Sequence, residues 1–245
     1  RPLAAAMQTI DLKKLRLAPG ARVLDLGCGH GRHAHALYRD HPVRVWGMDL
    51  NPEAARTSRQ GFALFAKDQD HRGCSWLMLS GDCQALPFAD ASFAGVICSE
   101  VLEHLSDYHG ALREMRRVLE PGGTLAVSVP RYGPERLCWA LSREYQQDPG
   151  GHLRIFKTGP LLLEIKRLGF ALLGKHHAHA LHSPYWWLKC WHWSRRESWW
   201  PIRLYHRLLV WDMLHKPVLL RFLEAIGNPF LGKSVVLYFR KTGLV

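Results

Sequence analysis

Apolar residues follow two different periods along the first two thirds of the chain. Short apolar runs predict buried strands, and longer segments with apolar residues three or four positions apart predict helices between them. Strands that alternate with helices indicate an α/β fold with a parallel sheet and right-handed crossovers. The predicted strands lie around Val23 and at 43–48, 75–79, 93–98 and 124–129; the predicted helices lie at 7–17, 33–38, from Asn51 onward, 108–119 and 160–168.

A glycine-rich turn follows the first strand, where residues 25–31 read Asp-Leu-Gly-Cys-Gly-His-Gly. Glycines in alternate positions allow a tight turn in which the backbone approaches a ligand closely. The helix after the turn would aim its first free N–H groups at that ligand. Asp25 would repel a dinucleotide pyrophosphate, whereas its carboxylate suits a cofactor that carries an amine or a sulfonium. The alternative is a glycine turn without a ligand, which the motifs downstream disfavour.

This turn resembles the first motif of class I S-adenosylmethionine (SAM)-dependent methyltransferases, in particular the type 11 methyltransferase-like family. Four more stretches resemble that family's motifs in the family's order. They are 46–50 (second motif), 81–88 (adenine-contacting loop), 92–100 and 119–125 (fourth and fifth elements). The resemblance covers about residues 10–178 and the final strand. It is specific for the cofactor and says little about the methyl acceptor.

The resemblance implies a doubly wound, Rossmann-like, mostly parallel sheet of seven strands in the order 3-2-1-4-5-7-6. Strands six and seven are then assigned to 170–178 and 234–240, with strand seven antiparallel. SAM is the implied cofactor. Asp49, after strand two, would accept from the ribose hydroxyls, and Asp82 with the backbone of Cys83 would contact the adenine; the simpler interpretations are a helix cap and a turn residue. The implied cofactor residues are Asp25, Gly27, Cys28, Gly29, Gly31, Asp49, Leu50, Asp82, Cys83 and Ser99.

About fifty residues separate strands six and seven, which family members often join by a short hairpin. The pattern predicts helices at 184–195 and 202–226, the second kinked or split by Pro217. We expect residues 1–180 and 233–245 to form the methyltransferase domain and 181–232 to form an inserted helical substrate cap. Its tryptophans cover more than one helical face, so some should pack on the domain and others face the acceptor. The predicted acceptor contacts are Tyr185, Trp186 and Trp187.

The net charge of +12 over 245 residues is concentrated near the C-terminus. Residues 175–245 hold eleven Lys or Arg against three acids, and residues 186–211 hold seven of the ten tryptophans. Such a region fits an anionic membrane surface met by Arg195, Arg196 and Arg203, a nucleic acid, or an acidic amphiphilic substrate. A basic skin over a tryptophan-rich core is the simpler alternative.

The six cysteines contain no Cys-x-x-Cys pair, which predicts reduced thiols, a cytoplasmic setting and no structural zinc site. No apolar run approaches the length of a spanning helix, and no charged-then-apolar leader is visible at the N-terminus. With the basic region, this predicts a cytoplasmic protein that contacts the inner membrane face peripherally.

Glu100, Glu103 and His104 follow the fourth strand closely, and on a helical turn all three face one side. The segment is similar to the Glu-x-x-Glu-His of ubiquinone-pathway catechol O-methyltransferases and small-RNA 2′-O-methyltransferases, in which those residues bind a divalent metal. The resemblance thus implies a Mg²⁺ site that orients a diol and lowers its pKa. The alternatives are a metal-free role of Glu100 and His104 in acid–base chemistry or acceptor orientation, and a plain helix surface.

His152 is the second candidate base, in a segment 151–156 that resembles a His-x-Arg-x-Phe stretch at the pocket mouth of relatives. Histidine titrates near neutral pH and can take a proton from a hydroxyl acceptor; the alternative is a loop histidine bonded to backbone. The run His176, His177 and His179 looks like a set of metal ligands. Alternation along strand six separates His177 from its neighbours, so we interpret the run as strand plus solvent.

Three functions compete. The first is O-methylation of a lipophilic or amphiphilic small molecule, with C- or N-methylation of a small molecule as a variant. The second is tRNA or rRNA methylation by the basic aromatic region, but no Asn/Asp-Pro-Pro-Tyr motif follows strand four, where Cys98-Ser99-Glu100 stands, and no RNA-binding module is visible. The third is a non-catalytic scaffold, which the intact glycine turn and two acids disfavour. The sequence favours the first, and it leaves the oligomeric state open.

Overall fold

The computed structural model describes residues 8–65 and 74–243. Its strands are β1 (Arg22–Leu26), β2 (Arg44–Asp49), β3 (Ser75–Ser80), β4 (Phe93–Ser99), β5 (Leu119–Pro130), β6 (Phe170–Ala178) and β7 (Ser234–Lys241). They form one sheet in the order β3-β2-β1-β4-β5-β7-β6. Only β7 among these strands is antiparallel, to β5 and to β6. The predicted Rossmann-like sheet, including its order, is confirmed.

Nine α-helices connect or flank these strands in the described part of the chain. They are α1 (Arg32–Asp40), α2 (Pro52–Phe65), α3 (Tyr108–Val118), α4 (Tyr132–Leu141), α5 (Arg143–Gln146), α6 (Thr158–Arg167), α7 (His182–Trp191), α8 (Trp200–His215) and α9 (Val218–Leu231). Asn51 caps the start of α2, because its Oδ1 accepts from the Glu53 amide at 2.9 Å. None of the helices described is long and apolar enough to cross a membrane.

The core lies on both faces of the sheet. Val23 belongs to an apolar cluster on one face, with Leu37 and Phe62, while Leu24 and Leu26 belong to the cluster on the other face. A central parallel strand is covered on both sides by helices, so it needs an unbroken apolar run rather than alternation. This explains why the sequence before the glycine turn identified β1 clearly.

The helix predicted at 7–17 is wrong. Met7 lies outside the described residues, and after it only Leu12–Leu15 form a short 3-10 helix. The amides of Thr9 and Ile10 donate to His33 Nε2 at 3.3 Å, and the Asp11 amide donates to the Tyr238 hydroxyl at 2.8 Å. These N–H groups donate to distant side chains and not to carbonyls within a helix. The segment before Leu12 is therefore not helical.

The sequence pattern also missed α4 and α5, which follow β5 directly. In the insertion, α7 precedes a 3-10 turn at Trp193–Arg195, and Pro217 divides α8 from α9 as predicted. The insertion has its own small core, in which Tyr185, Ile202 and Leu209 pack together. The proposed division at residues 180 and 233 stays a prediction.

Candidate functional site

The carboxyl ends of β1, β2, β4 and β5 meet at one edge of the sheet, and the predicted cofactor residues lie there. The strand order reverses between β1 and β4, because β2 and β3 lie on one side of β1 and the later strands on the other. In open α/β sheets, ligands bind in the crevice at such a switch point.

The glycine turn is held against the end of β2 by backbone hydrogen bonds. The amides of Gly27 and Cys28 donate to the Met48 carbonyl at 2.8 and 3.1 Å, and the Gly29 amide donates to Asp49 Oδ2 at 2.8 Å. Gly27, Gly29 and Gly31 all have positive φ, of 65, 52 and 85°, a region that favours glycine. The spacing of the glycines therefore has a direct conformational cause.

The three glycines differ in what surrounds them. A Cβ on Gly27 would collide with Val101, and one on Gly31 would collide with Ser58 and His35. A Cβ on Gly29 would meet no described atom within 4 Å. Gly29 is thus the glycine of this turn whose backbone faces open space, where a ligand can approach it.

Asp25 is buried beneath the turn. Its Oδ2 accepts from the Ala34 amide at 3.0 Å, so the carboxyl satisfies one of the first free N–H groups of α1. Burial raises the pKa of Asp25 to about 7, although the charge of Arg32 opposes this shift. The structure therefore gives Asp25 a supporting role, and its predicted contact with a cofactor stays a prediction.

The remaining predicted cofactor residues on this edge differ in exposure. Asp49 also accepts from the Asn51 amide through Oδ1 at 2.9 Å, so both of its oxygens help to fix the loop. The adjacent Leu50 is largely exposed. In the loop after β3, Asp82 Oδ1 accepts from the Gln84 amide at 2.9 Å, and burial raises the pKa of Cys83 to about 11. Cys83 is therefore a neutral, half-buried thiol.

A polar chain links α1 to the end of β4. Arg32 Nη2 donates to Ser99 Oγ at 3.3 Å, and Ser99 Oγ lies 2.9 Å from Ser128 Oγ. The Ser128 hydroxyl also donates to Glu100 Oε1 at 2.9 Å. Burial lowers the pKa of Arg32, against the charges of Glu100 and Asp25. The Glu100 backbone has φ of 57°, an unusual region for this residue type that is found at functional sites.

The prediction that Glu100, Glu103 and His104 share one helical turn is wrong, and their grouping as metal ligands stays a prediction. The structure instead brings Glu103 and His104 together with His152, with one ligand atom of each within 4.8 Å of the others. The physical reason is that the backbone turns sharply at Glu100, and only Leu102–His104 form a 3-10 helix.

Glu103 is fully buried, and neither carboxylate oxygen has a hydrogen-bond partner among the described residues. Burial, and then the charge of Glu100, raises the pKa of Glu103 well above its usual range. His104 Nδ1 lies 3.1 Å from the Gly151 carbonyl oxygen, and its ring centroid lies 5.0 Å from that of His152. Partial burial and His152 lower the pKa of His104.

His152 has an acidic partner that the sequence did not indicate. Its Nδ1 lies 2.6 Å from Oε1 of Glu135, which also accepts from the Tyr145 hydroxyl at 2.8 Å. Burial alone would raise the pKa of Glu135, but the hydrogen bond and charge of His152 hold it below its usual value. Glu135 lies on α4 and Tyr145 on α5, the two helices that were not predicted. Pro134-Glu135 just beyond strand five was the available signal, since proline favours the first turn of a helix.

The insertion covers this pair with aromatic rings. Tyr145 lies 5.8 Å from Trp186 and 5.4 Å from Trp193 between ring centroids. Trp187 donates through Nε1 to the Pro134 carbonyl at 3.0 Å, which ties α7 to α4. Tyr185 lies in the insertion's own core with Ile202, and its predicted contact with the acceptor stays a prediction.

The histidine run on β6 is also corrected. His176 stacks on Tyr238, with centroids 5.6 Å apart. His179 is buried, and its Nε2 lies 3.0 Å from Thr9 Oγ1. The prediction of strand plus solvent therefore fails for His179, since α9 and the segment before β1 cover the end of β6.

Comparison with known proteins agrees with this geometry. Residues 24–127 match a family model described as a methyltransferase domain. A ubiquinone biosynthesis O-methyltransferase of Xanthomonas campestris is 34% identical over 133 residues, 54% of this chain and 53% of that protein. A sterol 24-C-methyltransferase of Gibberella zeae is 29% identical over 174 residues, 66% of this chain and 42% of that protein.

Solved structures share the fold. A SAM-dependent methyltransferase from Methanosarcina mazei superimposes with a TM-score of 0.60 at 16% identity, covering 96% of this chain and 99% of that one. At this identity the likeness concerns the fold alone. The chain spans about half the length of the curated relatives that it matches.

Proposed function

We propose that the chain is a class I SAM-dependent methyltransferase that transfers a methyl group from SAM to an oxygen acceptor, because residues 24–127 match a family model described as a methyltransferase domain. The acceptor in this proposal is a hydroxyl of a lipophilic or amphiphilic small molecule. The observation that carries the proposal is the His152–Glu135 pair, which lies next to Glu103 and His104 just beyond β4.

The residues of the glycine turn fit the cofactor. When bound, SAM supplies an electrophilic methyl group on a positively charged sulfonium. Gly29 leaves open space beside its backbone, and Asp49 accepts from the Gly29 amide at 2.8 Å. These two residues would hold the cofactor, and Asp25 would support them from below.

The His152–Glu135 pair suits the removal of a hydroxyl proton. Glu135 accepts at Nδ1 of His152 at 2.6 Å, which leaves Nε2 as the atom that takes the proton. The carboxylate also stabilises the imidazolium that results. Methyl transfer to a hydroxyl oxygen requires the loss of the hydroxyl proton, and this pair is suited to accept it.

The aromatic cover argues for an apolar acceptor. Trp186 and Trp193 flank Tyr145, whose hydroxyl donates to Glu135. Lys189 and Lys233 each place their ammonium group 5.0 Å from the Trp186 ring centroid. Rings with cations above them accommodate an apolar body that carries an acidic or phenolic end.

The test is methyl transfer from radiolabelled SAM to a panel of alkyl-substituted phenols and catechols. His152→Ala should lower kcat by about 10²–10⁴-fold, the contribution of a general base. Exposed His109→Ala is the matched control, and calorimetry should show unchanged SAM binding in both variants. An unchanged rate in His152→Ala would refute its role, and transfer confined to C–H or N–H acceptors would refute O-methylation.

An exposed apolar face on α8 and α9 supports a proposed contact with a membrane surface. Trp200, Leu204, Leu208, Trp211 and Leu214 follow one another along α8 at intervals of three or four residues. Continuing on α9, the exposed apolar residues are Val218, Leu219, Phe222, Leu223, Ile226, Phe230 and Leu231. Contiguous apolar surface of this kind marks an interaction site.

Four exposed basic residues lie on α8, on α9 or between them: Arg203, Arg207, Lys216 and Arg221. Apolar helices with flanking cations lie in the interfacial plane of anionic bilayers. All six cysteines are free thiols, which fits a reducing compartment. The proposed surface is therefore the inner, cytoplasmic leaflet, where an amphiphilic acceptor is concentrated.

A further inference from the structure

A second group of metal-ligating side chains lies outside the site described above. It joins His179 at the end of β6, His182 at the start of α7 and Glu224 on α9. One ligand atom of each lies within 4.8 Å of the others. None of these residues belongs to the glycine turn or to the His152–Glu135 pair.

Distances within the group are close to those of a metal site. His179 Nδ1 lies 3.8 Å from Glu224 Oε1, and the two histidine ring centroids are 5.7 Å apart. A zinc ion about 2.0–2.2 Å from each ligand atom holds tetrahedral ligand atoms about 3.3–3.6 Å apart. The 3.8 Å between His179 Nδ1 and Glu224 Oε1 is slightly longer than this spacing.

The Nε2 atom of His179 has a polar partner of the kind found at metal-ligating histidines. Its Nε2 lies 3.0 Å from the hydroxyl oxygen of buried Thr9. A ligating histidine bonds through one nitrogen while a polar group orients the other, so Thr9 leaves Nδ1 as the ligand atom. The His179 backbone has φ of 67°, a strained conformation for this residue type.

Two buried polar atoms beside the group have no hydrogen-bond partner among the described residues. They are His182 Nδ1 and Asp212 Oδ1, and the Asp212 residue is only 9% exposed. Both residues line a polar cavity of about 450 Å³, together with Thr9, His179 and Glu224. Buried polar atoms without partners require an explanation, and an unseen ion is one of the usual ones.

A plain ion pair between His179 and Glu224 is the simpler explanation of their contact. It accounts for neither the unpartnered His182 nitrogen nor the unpartnered Asp212 oxygen. Lys216 and Arg221 also line the cavity and would repel a cation, but the carboxylates of Glu224 and Asp212 supply two negative charges for it.

We infer that His179, His182 and Glu224 bind one divalent transition-metal ion, while Asp212 lines the same cavity. Two imidazoles with a carboxylate suit zinc and other first-row transition metals. They do not suit Mg²⁺, which takes oxygen ligands. The ion joins α7 and α9 to the end of β6, so it fastens the insertion to the sheet. The cysteine pattern indicated no zinc site because this group contains no cysteine.

The test is titration of the metal-stripped full chain with Co²⁺, followed by its d–d absorption, and then displacement by Zn²⁺. We expect one tightly bound ion and a rise in the thermal unfolding temperature on binding. His182→Ala and the isosteric Glu224→Gln should each weaken binding at least tenfold. Thr9→Val, which leaves the ligands in place, should weaken it by about 10–100-fold.

Matched controls separate this site from the other histidines. His177→Ala removes a cavity-lining histidine outside the group, and His104→Ala disrupts the group beside His152; both should retain the Co²⁺ spectrum. Absence of a Co²⁺ spectrum in the folded wild-type chain would overturn the inference, as would equal binding in His182→Ala and His177→Ala. Because no acceptor or SAM is used, these outcomes are independent of the proposed methyl transfer.

Discussion

Gly29 shows how one residue opens the site to a ligand. Its φ of 52° lies in the left-handed region, and a Cβ there would meet no described atom within 4 Å. Its amide is committed to Asp49, so the backbone is fixed while the space beside it stays free. A side chain at this position would take up the space that a cofactor needs.

We predict that Gly29→Val abolishes SAM binding measured by calorimetry, because the valine fills the cofactor's path and is strained at positive φ. Gly174→Val, in β6 with open space around it, is the matched control and should bind SAM normally. Normal SAM binding by folded Gly29→Val would show that the cofactor lies elsewhere.

Asp25 gives a prediction about stability and pH. Burial raises its pKa to about 7 in the folded chain, against 3.8 ordinarily. Between these pH values Asp25 is protonated in the folded state and ionised in the unfolded state. The stability that comes from burying a neutral Asp25 is therefore complete below about pH 4 and is lost as the pH rises through 7. Asp25→Asn keeps an acceptor for the Ala34 amide without a charge.

The free energy of unfolding of Asp25→Asn minus that of the wild type should therefore increase with pH. At pH 8 this difference should reach ~2–4 kcal/mol. Urea denaturation at pH 5 and pH 8 measures this difference, with exposed Asp148→Asn as the control. If wild type and Asp25→Asn change in parallel between the two pH values, the buried charge is not the cause.

Among the elements, α4 and α7 decide how the insertion meets the site. Helix α4 carries Glu135, and α7 is bonded to its first turn through Trp187 and the Pro134 carbonyl. The contact between α7 and α4 thus connects the aromatic residues of the insertion to the helix that carries Glu135. A change in that contact should affect stability without touching the cofactor.

Trp187→Phe keeps most of the ring but removes the indole N–H, which leaves the Pro134 carbonyl without this donor. We expect a loss of about 1 kcal/mol in the free energy of unfolding, measured by urea denaturation. Trp191→Phe on the exposed side of the same helix should be neutral. Equal effects of the two substitutions would indicate that the hydrogen bond contributes nothing.

At the scale of the whole molecule, one insertion combines two surfaces. Its α7 faces the candidate site, while α8 and α9 expose an apolar face with cations nearby. An amphiphilic acceptor could then pass from a bilayer to the site along a single inserted unit. This arrangement is a reason for so long a connection between β6 and β7.

We predict that the chain co-sediments with anionic vesicles at low salt, less so with neutral vesicles, and less at high salt because the charges are screened. The double substitution Leu208→Ser with Trp211→Ser should reduce binding at least tenfold. Leu173→Ser, an exposed leucine on β6, is the matched control. Absence of vesicle binding together with a concentration-dependent dimer would assign the apolar face to a second copy of the chain.

The sequence by itself determined the features whose causes are local. Strand β1 shows as an unbroken apolar run because both its faces are buried, and the glycine turn shows because positive φ favours glycine. Pro217 divides two helices because its ring and missing N–H interrupt any helix. The strand order was implied by the resemblance of the motifs to class I SAM-dependent methyltransferases, and the described sheet has that order.

Only the tertiary structure decided which distant side chains meet. Glu135 and His152 are 17 positions apart and pair because α4 packs over the loop that carries His152. Glu103 and His104 meet His152 rather than a neighbour in sequence, and residues 9–11 form no helix because His33 and Tyr238 accept their amide hydrogen bonds. Such pairings follow from the packing of whole elements, which the local pattern of residues does not encode.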